Sequence, residues 1–188
     1  MRSPRAELVA ETAITLLAER GMRGLTHRAV DEAAGLPPGA ASNVARTRAA
    51  LLALTLERLN ELEERQFAAV SVDDVPADRE GAADLVARLL HGQITRDRRR
   101  TLARYELALE ATRRPELRGA YDASGRHFAR PAVALMEALG SADPEADGRR
   151  LVVFAEGVMF YALAGAGDDP TMDGLRRDAA RFLAGLLG

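Results

Sequence analysis

The chain contains no cysteine and no lysine. Without cysteine there is no disulfide, no thiol nucleophile and no thiolate zinc site, and nothing points to an oxidising compartment. Without lysine, all 26 basic residues are arginine. Arginine suits phosphate and base-edge contacts, although a chain-wide absence of lysine reflects coding bias rather than function. Strand signals are nearly absent too: there is no long β-branched alternation and no Asn-Gly hairpin. The longest nearly apolar run, Leu151 to Ala166, contains Glu156 and falls short of the roughly 20 residues that span a bilayer. The N-terminal MRSPRAELVAETA interleaves charges with apolar residues, which is not a signal peptide. These features predict a cytoplasmic protein with no membrane partner. Enzyme patterns are missing as well. His27, His91 and His127 lie far apart, no Gly-rich phosphate loop or nucleophile elbow occurs, and no Glu-x-x-His pair suggests a di-iron bundle. The spacing calls for no cofactor and no metal.

What is present is helical periodicity from end to end, which predicts an all-α fold. The 188 residues are 47% hydrophobic and 29% charged, enough for a core under a well-solvated surface. The net charge of −2 gives no bulk attraction to nucleic acid, so any DNA binding must come from a local patch. Ser3 caps a first helix with Val9, Ala13, Leu16 and Leu17 on one face, and Gly21 stops it. A second helix runs from its Thr26 cap to Ala34, with Ala29, Val30, Ala33 and Ala34 as the inner stripe. Gly35-Leu36 turns the chain, and Pro37-Pro38 open a third helix to about Ala45. Thr47 caps a fourth, from about Arg48 to Val70, with Leu52, Leu56 and Leu59 inward and Glu57, Glu61 and Glu64 outward. Residues 71–79 read as a loop. Helices follow over about 80–95, with Leu85, Leu89 and Leu90 inward, and then to about Arg113, with Leu102, Tyr105 and Leu109 on one face. The span 116–139 is helical with Pro131 as a kink or a break. The last two helices, 145–165 and 171–187, are an element apolar almost all round from Leu151 to Ala164 and an amphipathic one.

The stretch Thr26 to Arg48 organises the rest. Two short helices joined by a tight Gly turn outline a DNA-reading helix-turn-helix. Ser42 and Asn43 can read base edges from the third helix, and Ala40 or Ala41 can meet a thymine methyl. Pro38 and Gly39 lie at the start of that helix. Thr26, His27 and Arg28 at one end, and Arg46, Thr47 and Arg48 at the other, have the chemistry to hold phosphates. The blander alternative is that the two threonines only cap helices and the arginines form a solvated face. The first 50 residues hold seven Arg and five acidic residues, a modest local excess that favours a dimer reading two half-sites about 34–36 Å apart.

The N-terminal pattern resembles the TetR family of bacterial transcriptional regulators. Gly21, Leu25-Thr26, Ala34-Gly35, Gly39-Ala40-Ala41 and Arg48 followed by Leu51-Leu52 carry the resemblance. Ser42-Asn43 and Arg46-Thr47-Arg48 look like a variant common in actinobacterial members. The family usually places aromatics in the reading helix, a Tyr pair followed by a Phe. This chain has Ser42-Asn43-Val44-Ala45 instead, which removes a core anchor at Ala45. The resemblance implies a DNA-binding domain at 1–50 and a helical ligand-binding and dimerisation domain at 51–188, about nine helices in all. It implies a repressor that binds a palindromic operator as a dimer and releases it when a small-molecule effector binds.

For the effector, His91, Tyr105, Glu106, His127, Phe128, Phe154 and Tyr161 lie in or beside apolar stripes. For a homodimer, Phe154, Val158, Tyr161, Leu175, Phe182, Leu183 and Leu186 are the candidates, since an apolar stripe beside an all-round apolar helix suggests an intermolecular bundle. The alternative is that both helices complete one monomer's core. The competing function is an all-α small-molecule-binding protein or enzyme that does not touch DNA. A third reading, a helical interaction module without DNA, leaves the small-residue helix between Pro37 and Thr47 unexplained.

Overall fold

A computed structural model describes residues 2–68, 76–167 and 169–188. The described residues form helices and no strand. In chain order the helices are α1 (Pro4–Gly24), α2 (His27–Ala34), α3 (Ala40–Val44), α4 (Arg48–Ala68), α5 (Arg79–Ile94), α6 (Arg98–Ala111), α7 (Pro115–Ala138), α8 (Pro144–Leu163) and α9 (Met172–Leu187). Most of the loop expected at 71–79, and the end of the helix expected to reach Val70, lie outside the described residues.

The helix ends follow their local chemistry. Ser3 Oγ accepts from the Ala6 N–H at 3.2 Å, Thr26 Oγ1 from Ala29 at 3.0 Å and Thr171 Oγ1 from Gly174 at 3.1 Å. Each satisfies one of the N–H groups that a helix start leaves open. Gly21 breaks the path of α1 with φ 64° and ψ −172°, after which one further turn runs to Gly24. Gly35 ends α2 in the left-handed region at φ 63°, where a side chain is costly.

The chain divides into two compact units. The first joins residues 1–65 to 99–124, and the second joins 66–98 to 125–188. In the first unit, Val9, Ala13, Ile14, Leu16 and Leu17 of α1 pack with Leu51, Leu52, Leu56 and Leu59 of α4 and with Ala103, Leu107 and Ala111 of α6. The compact unit that contains the short helices thus extends beyond residue 50. Ion pairs tie the same helices together. Arg58 of α4 reaches Glu11 of α1 at 2.8 Å, and Arg99 of α6 reaches Glu11 at 3.1 Å. Arg104 of α6 and Glu63 of α4 pair at 3.4 Å with side chains only 7% and 5% exposed.

Two stripes differ from the expected ones. On α2 the buried residues are Val30 and Asp31 while Ala33 is exposed. On α6 the inward residues are Thr101, Ala103, Arg104, Leu107 and Ala111, and Leu109 is 57% exposed. Ala-rich helices offer several faces of similar hydrophobicity, so packing rather than period selects one.

In the second unit, α5 packs against α8 and α9. Ala82, Ala83, Val86, Ala87, Leu90 and Ile94 are the buried apolar positions of α5, with Leu85 and Leu89 half-buried. Leu175, Ala179 and Leu183, each one turn apart on α9, are buried. Arg176 reaches Asp84 at 2.7 Å and holds its carboxyl below the usual carboxylate range. Pro131 lies within α7, which continues as one helix through it. A side chain at Gly148 of α8 would stand 2.9 Å from the Val133 backbone nitrogen of α7, so only glycine permits this approach. Among the described residues no helix is long and apolar enough to cross a membrane.

Candidate nucleic-acid interface

The reading segment is shorter than its sequence suggests. Pro37 and Pro38 do not open a helix. They enter a turn in which Gly39 takes φ 88° and ψ −4°, and the Ala40 N–H donates to the Pro37 carbonyl at 3.1 Å. Proline followed by a positive-φ glycine is the signature of a type II turn. The helix proper begins at Ala40 and lasts five residues.

That short helix is held by α2. The Asp31 carboxylate, 5% exposed, accepts from the Gly39 N–H and from the Ala41 N–H, each at 2.7 Å. At the other end, His27 Nε2 lies 2.6 Å from the Ala45 carbonyl. The carbonyl can only accept, so the ring nitrogen donates. Asp31 was not legible as a functional residue. The signal that could have found it is the run Pro37-Pro38-Gly39, a helix start with no capping side chain of its own.

Arg48 is turned inward as well. Its guanidinium donates to the Leu25 carbonyl at 2.5 Å and to the Met22 carbonyl at 2.6 Å, closing the chain between α1 and α2. This use of Arg48 differs from the expected phosphate clamp, because both arms of the fork are taken. Ala40 and Ala41 are 6% and 0% exposed, so their methyl groups pack inside the unit rather than facing a thymine.

The outward edge is made of other residues. Asn43 is exposed, Ser42 is half-buried, and Pro38 and Gly39 stand in the open. Thr47 Oγ1 accepts from the Ala50 N–H at 3.1 Å, so Thr26 and Thr47 each mark a helix N-terminus, whose partial positive charge suits phosphate. Arg46 is exposed. Arg28 is exposed too, and pairs with Glu32 at 2.7 Å. That hydrogen bond raises the Arg28 pKa and offsets part of the charge it presents.

The effector candidates fall in both units. Tyr105 and Glu106 belong to the first unit; His91, Phe154 and Tyr161 belong to the second. Glu106 accepts the Met22 N–H at 3.0 Å, and the Arg104 guanidinium lies 5.0 Å from the Tyr105 ring centroid. His91 is half-buried on α5. His127 and Phe128 fall on α7, where their side chains lie outside the described residues.

The interface candidates separate into two groups. Leu175 and Leu183 are 2% and 0% exposed. They pack within the chain and cannot face a partner, a correction whose physical reason is the tight pairing of α9 with α5. Phe154 stacks on Phe182 with centroids 4.3 Å apart and planes at 12°. Val158 and Leu186 are half-buried. Tyr161 is 60% exposed, beside Phe160 at 51% and Val153 at 71%, all on α8.

Residues 77–188, more than half of the chain, match the family model described as "Tetracyclin repressor-like, C-terminal domain". None of the curated proteins searched matches the sequence. Solved structures are similar along nearly the whole chain. A TetR-family member from Streptomyces coelicolor A3 is 26% identical over 96% of this chain and 98% of its own, with a TM-score of 0.74. The multidrug binding protein EbrR complexed with ethidium is 27% identical over 97% and 99%, with a TM-score of 0.71. A regulator from Saccharomonospora viridis in complex with choline has the higher TM-score of 0.80 at 18% identity, over 97% of each chain, a likeness of fold.

Proposed function

The chain belongs to the TetR family of transcriptional regulators, and from that premise we propose that it is a repressor that binds a palindromic operator as a homodimer and leaves it when a small molecule binds. Members of the family are DNA-binding, ligand-responsive regulators and generally not enzymes. Residues 1–50 are the proposed DNA-binding domain, and residues 51–188 the ligand-binding and dimerisation domain. The observation that carries the DNA-reading role is the exposed edge of α3, where Asn43 is open to solvent in the same unit as the Thr26 and Thr47 caps. Asn43 and Ser42 read base edges. Thr26, Arg28, Pro38, Gly39, Arg46 and Thr47 line the backbone contacts. The similarity to EbrR, complexed with ethidium, makes an aromatic cation the first effector class to try.

The test is binding to a duplex selected by the protein from a random-sequence pool. Affinity should fall steeply as salt rises, with a slope of about −0.9 per phosphate contact. Asn43→Ala should lose about 1–3 kcal/mol of preference for the selected sequence and keep salt-sensitive background binding. Failure to select any sequence would remove the regulator reading, and unchanged preference in Asn43→Ala would remove Asn43 as a reader.

The proposed dimer uses α8. Val153 and Phe160 are seven residues apart and therefore share a helix face, and Tyr161 adjoins them. A large exposed apolar group of this kind marks an interaction surface. Phe160→Glu places a charge in that face. Sedimentation should give a dimer for the parent at micromolar concentration and a monomer for the variant. A variant that stays dimeric would place the interface elsewhere.

A further inference from the structure

We propose that Asp31 and His27 are positioning residues that hold the two ends of the reading helix, in place of the aromatic anchors that this segment lacks. The proposal rests on the DNA-reading role of α3. A helix of five residues is far below the roughly 12–15 residues that sustain a helix alone in water. Its orientation must come from outside.

Its own sequence supplies little. Gly39 stands at the N-cap and makes no side-chain cap bond. Ala40, Ala41 and Ala45 are small and buried, so they offer close contact but few interlocking atoms. The polar contacts do the orienting. One carboxylate takes two N–H groups at the start of the helix through different oxygens, Oδ2 to Gly39 and Oδ1 to Ala41. A fork of that kind defines direction as well as distance. It also sets a negative charge at the positive end of the helix dipole. The imidazole of His27 fixes the carbonyl that follows the last turn. His27 and Asp31 are four residues apart on α2, hence neighbours on one face. A single turn of α2 therefore grips both ends of α3, and Asn43 is carried between the two grips.

The arrangement makes a specific separation of effects. Loosening either end lets the base-reading edge tilt relative to the groove, whereas Thr26 and Arg28 at the start of α2 and Thr47 at the start of α4 stay where they are. Loss should fall on sequence preference and not on background binding. A general stabilising role would lower both together.

The experiment uses the full chain and two duplexes, the selected sequence and the same sequence with a scrambled core. Asp31→Ala and His27→Ala should each weaken binding to the selected duplex by at least about tenfold, with the scrambled duplex and the salt slope unchanged. Asp31→Asn, which is nearly isosteric and keeps one acceptor, should fall between parent and Asp31→Ala and carries the test if Asp31→Ala does not fold. His27→Gln retains an N–H donor and should bind within about threefold of the parent. Amide hydrogen exchange gives a readout that needs no DNA: in Asp31→Asn, whose one carbonyl oxygen can serve only one of the two amides, the Gly39 or the Ala41 amide should exchange at least about tenfold faster, while amides in the middle of α4 keep their rates. Equal losses on both duplexes, or unchanged Gly39 and Ala41 amides, would overturn the proposal. A drop of about one in the salt slope for His27→Ala would show His27 on a phosphate instead, also against it. If the parent selects no duplex, the regulator reading fails by itself, and the exchange rates still decide whether the clamp exists.

Discussion

Replacing Arg104 by methionine is expected to lower the unfolding free energy by about 3–5 kcal/mol. Arg104 and Glu63 link α6 to α4 with both side chains almost fully removed from water, at 7% and 5% exposure. A buried pair contributes little net stability, because desolvation offsets most of the attraction. Breaking it by removing one partner is different, since the other charge then stays buried and loses this attraction. Glu63→Leu should therefore cost a similar amount, and the double variant should recover most of the loss. Denaturant unfolding of the parent, the two singles and the double measures this as a coupling energy. Additive losses would mean that the two charges are solvated independently. Because α4 and α6 belong to the unit that carries the reading helix, the single variants should also bind DNA poorly at temperatures where the double binds normally.

Arg48→Ala should destabilise the N-terminal unit by about 2–4 kcal/mol and abolish binding to any duplex. The magnitude follows from two charge-assisted bonds of roughly 1.5–3 kcal/mol each, reduced because Arg48 is only half-buried. Both arms of its guanidinium end on backbone carbonyls, those of Leu25 and Met22. The Met22 peptide is held on its other side as well, its N–H donating to Glu106 at 3.0 Å. Loss of Arg48 would release the junction through which α1 leads into α2. Arg48→Lys separates this role from a phosphate contact. Lysine is a point charge that cannot reach two carbonyls as a planar fork does, so it should restore little stability. A lysine variant with parental melting and parental DNA binding would put Arg48 back on a phosphate. Thermal unfolding and salt-dependent binding of the two variants make the distinction.

Asp31 and Arg48 show where sequence reasoning stops. Arg48, beside a helix N-terminus in a segment that reads DNA, has every local attribute of a phosphate contact, yet its partners lie 23 and 26 residues away. Asp31 sits among alanines on a helix that looks apolar along a neighbouring stripe, and its two partners are eight and ten residues on. Neither partner is predictable from spacing, because each depends on how one helix lands on another. The same holds for α6, where Leu109 has the right period and the wrong side.

What the residues determined by themselves is local. The helices, the Ser3, Thr26 and Thr47 caps, the break at Gly21 and the left-handed turn at Gly35 follow from a period of 3.6, from hydroxyls that reach a nearby N–H, and from glycine's freedom at positive φ. The resemblance carried by Gly21, Leu25-Thr26 and Ala34-Gly35 lay in those same elements, so the family was readable before any contact was known. Tertiary structure alone decided which face of α2 and α6 is buried, that Arg48 and His27 turn inward, that Asp31 caps a helix other than its own, and that Leu175 and Leu183 are closed off by α5. Each of those outcomes is a choice among faces or partners of nearly equal local merit. Only the packing of distant segments, which removes water from one alternative and leaves the others wet, separates them.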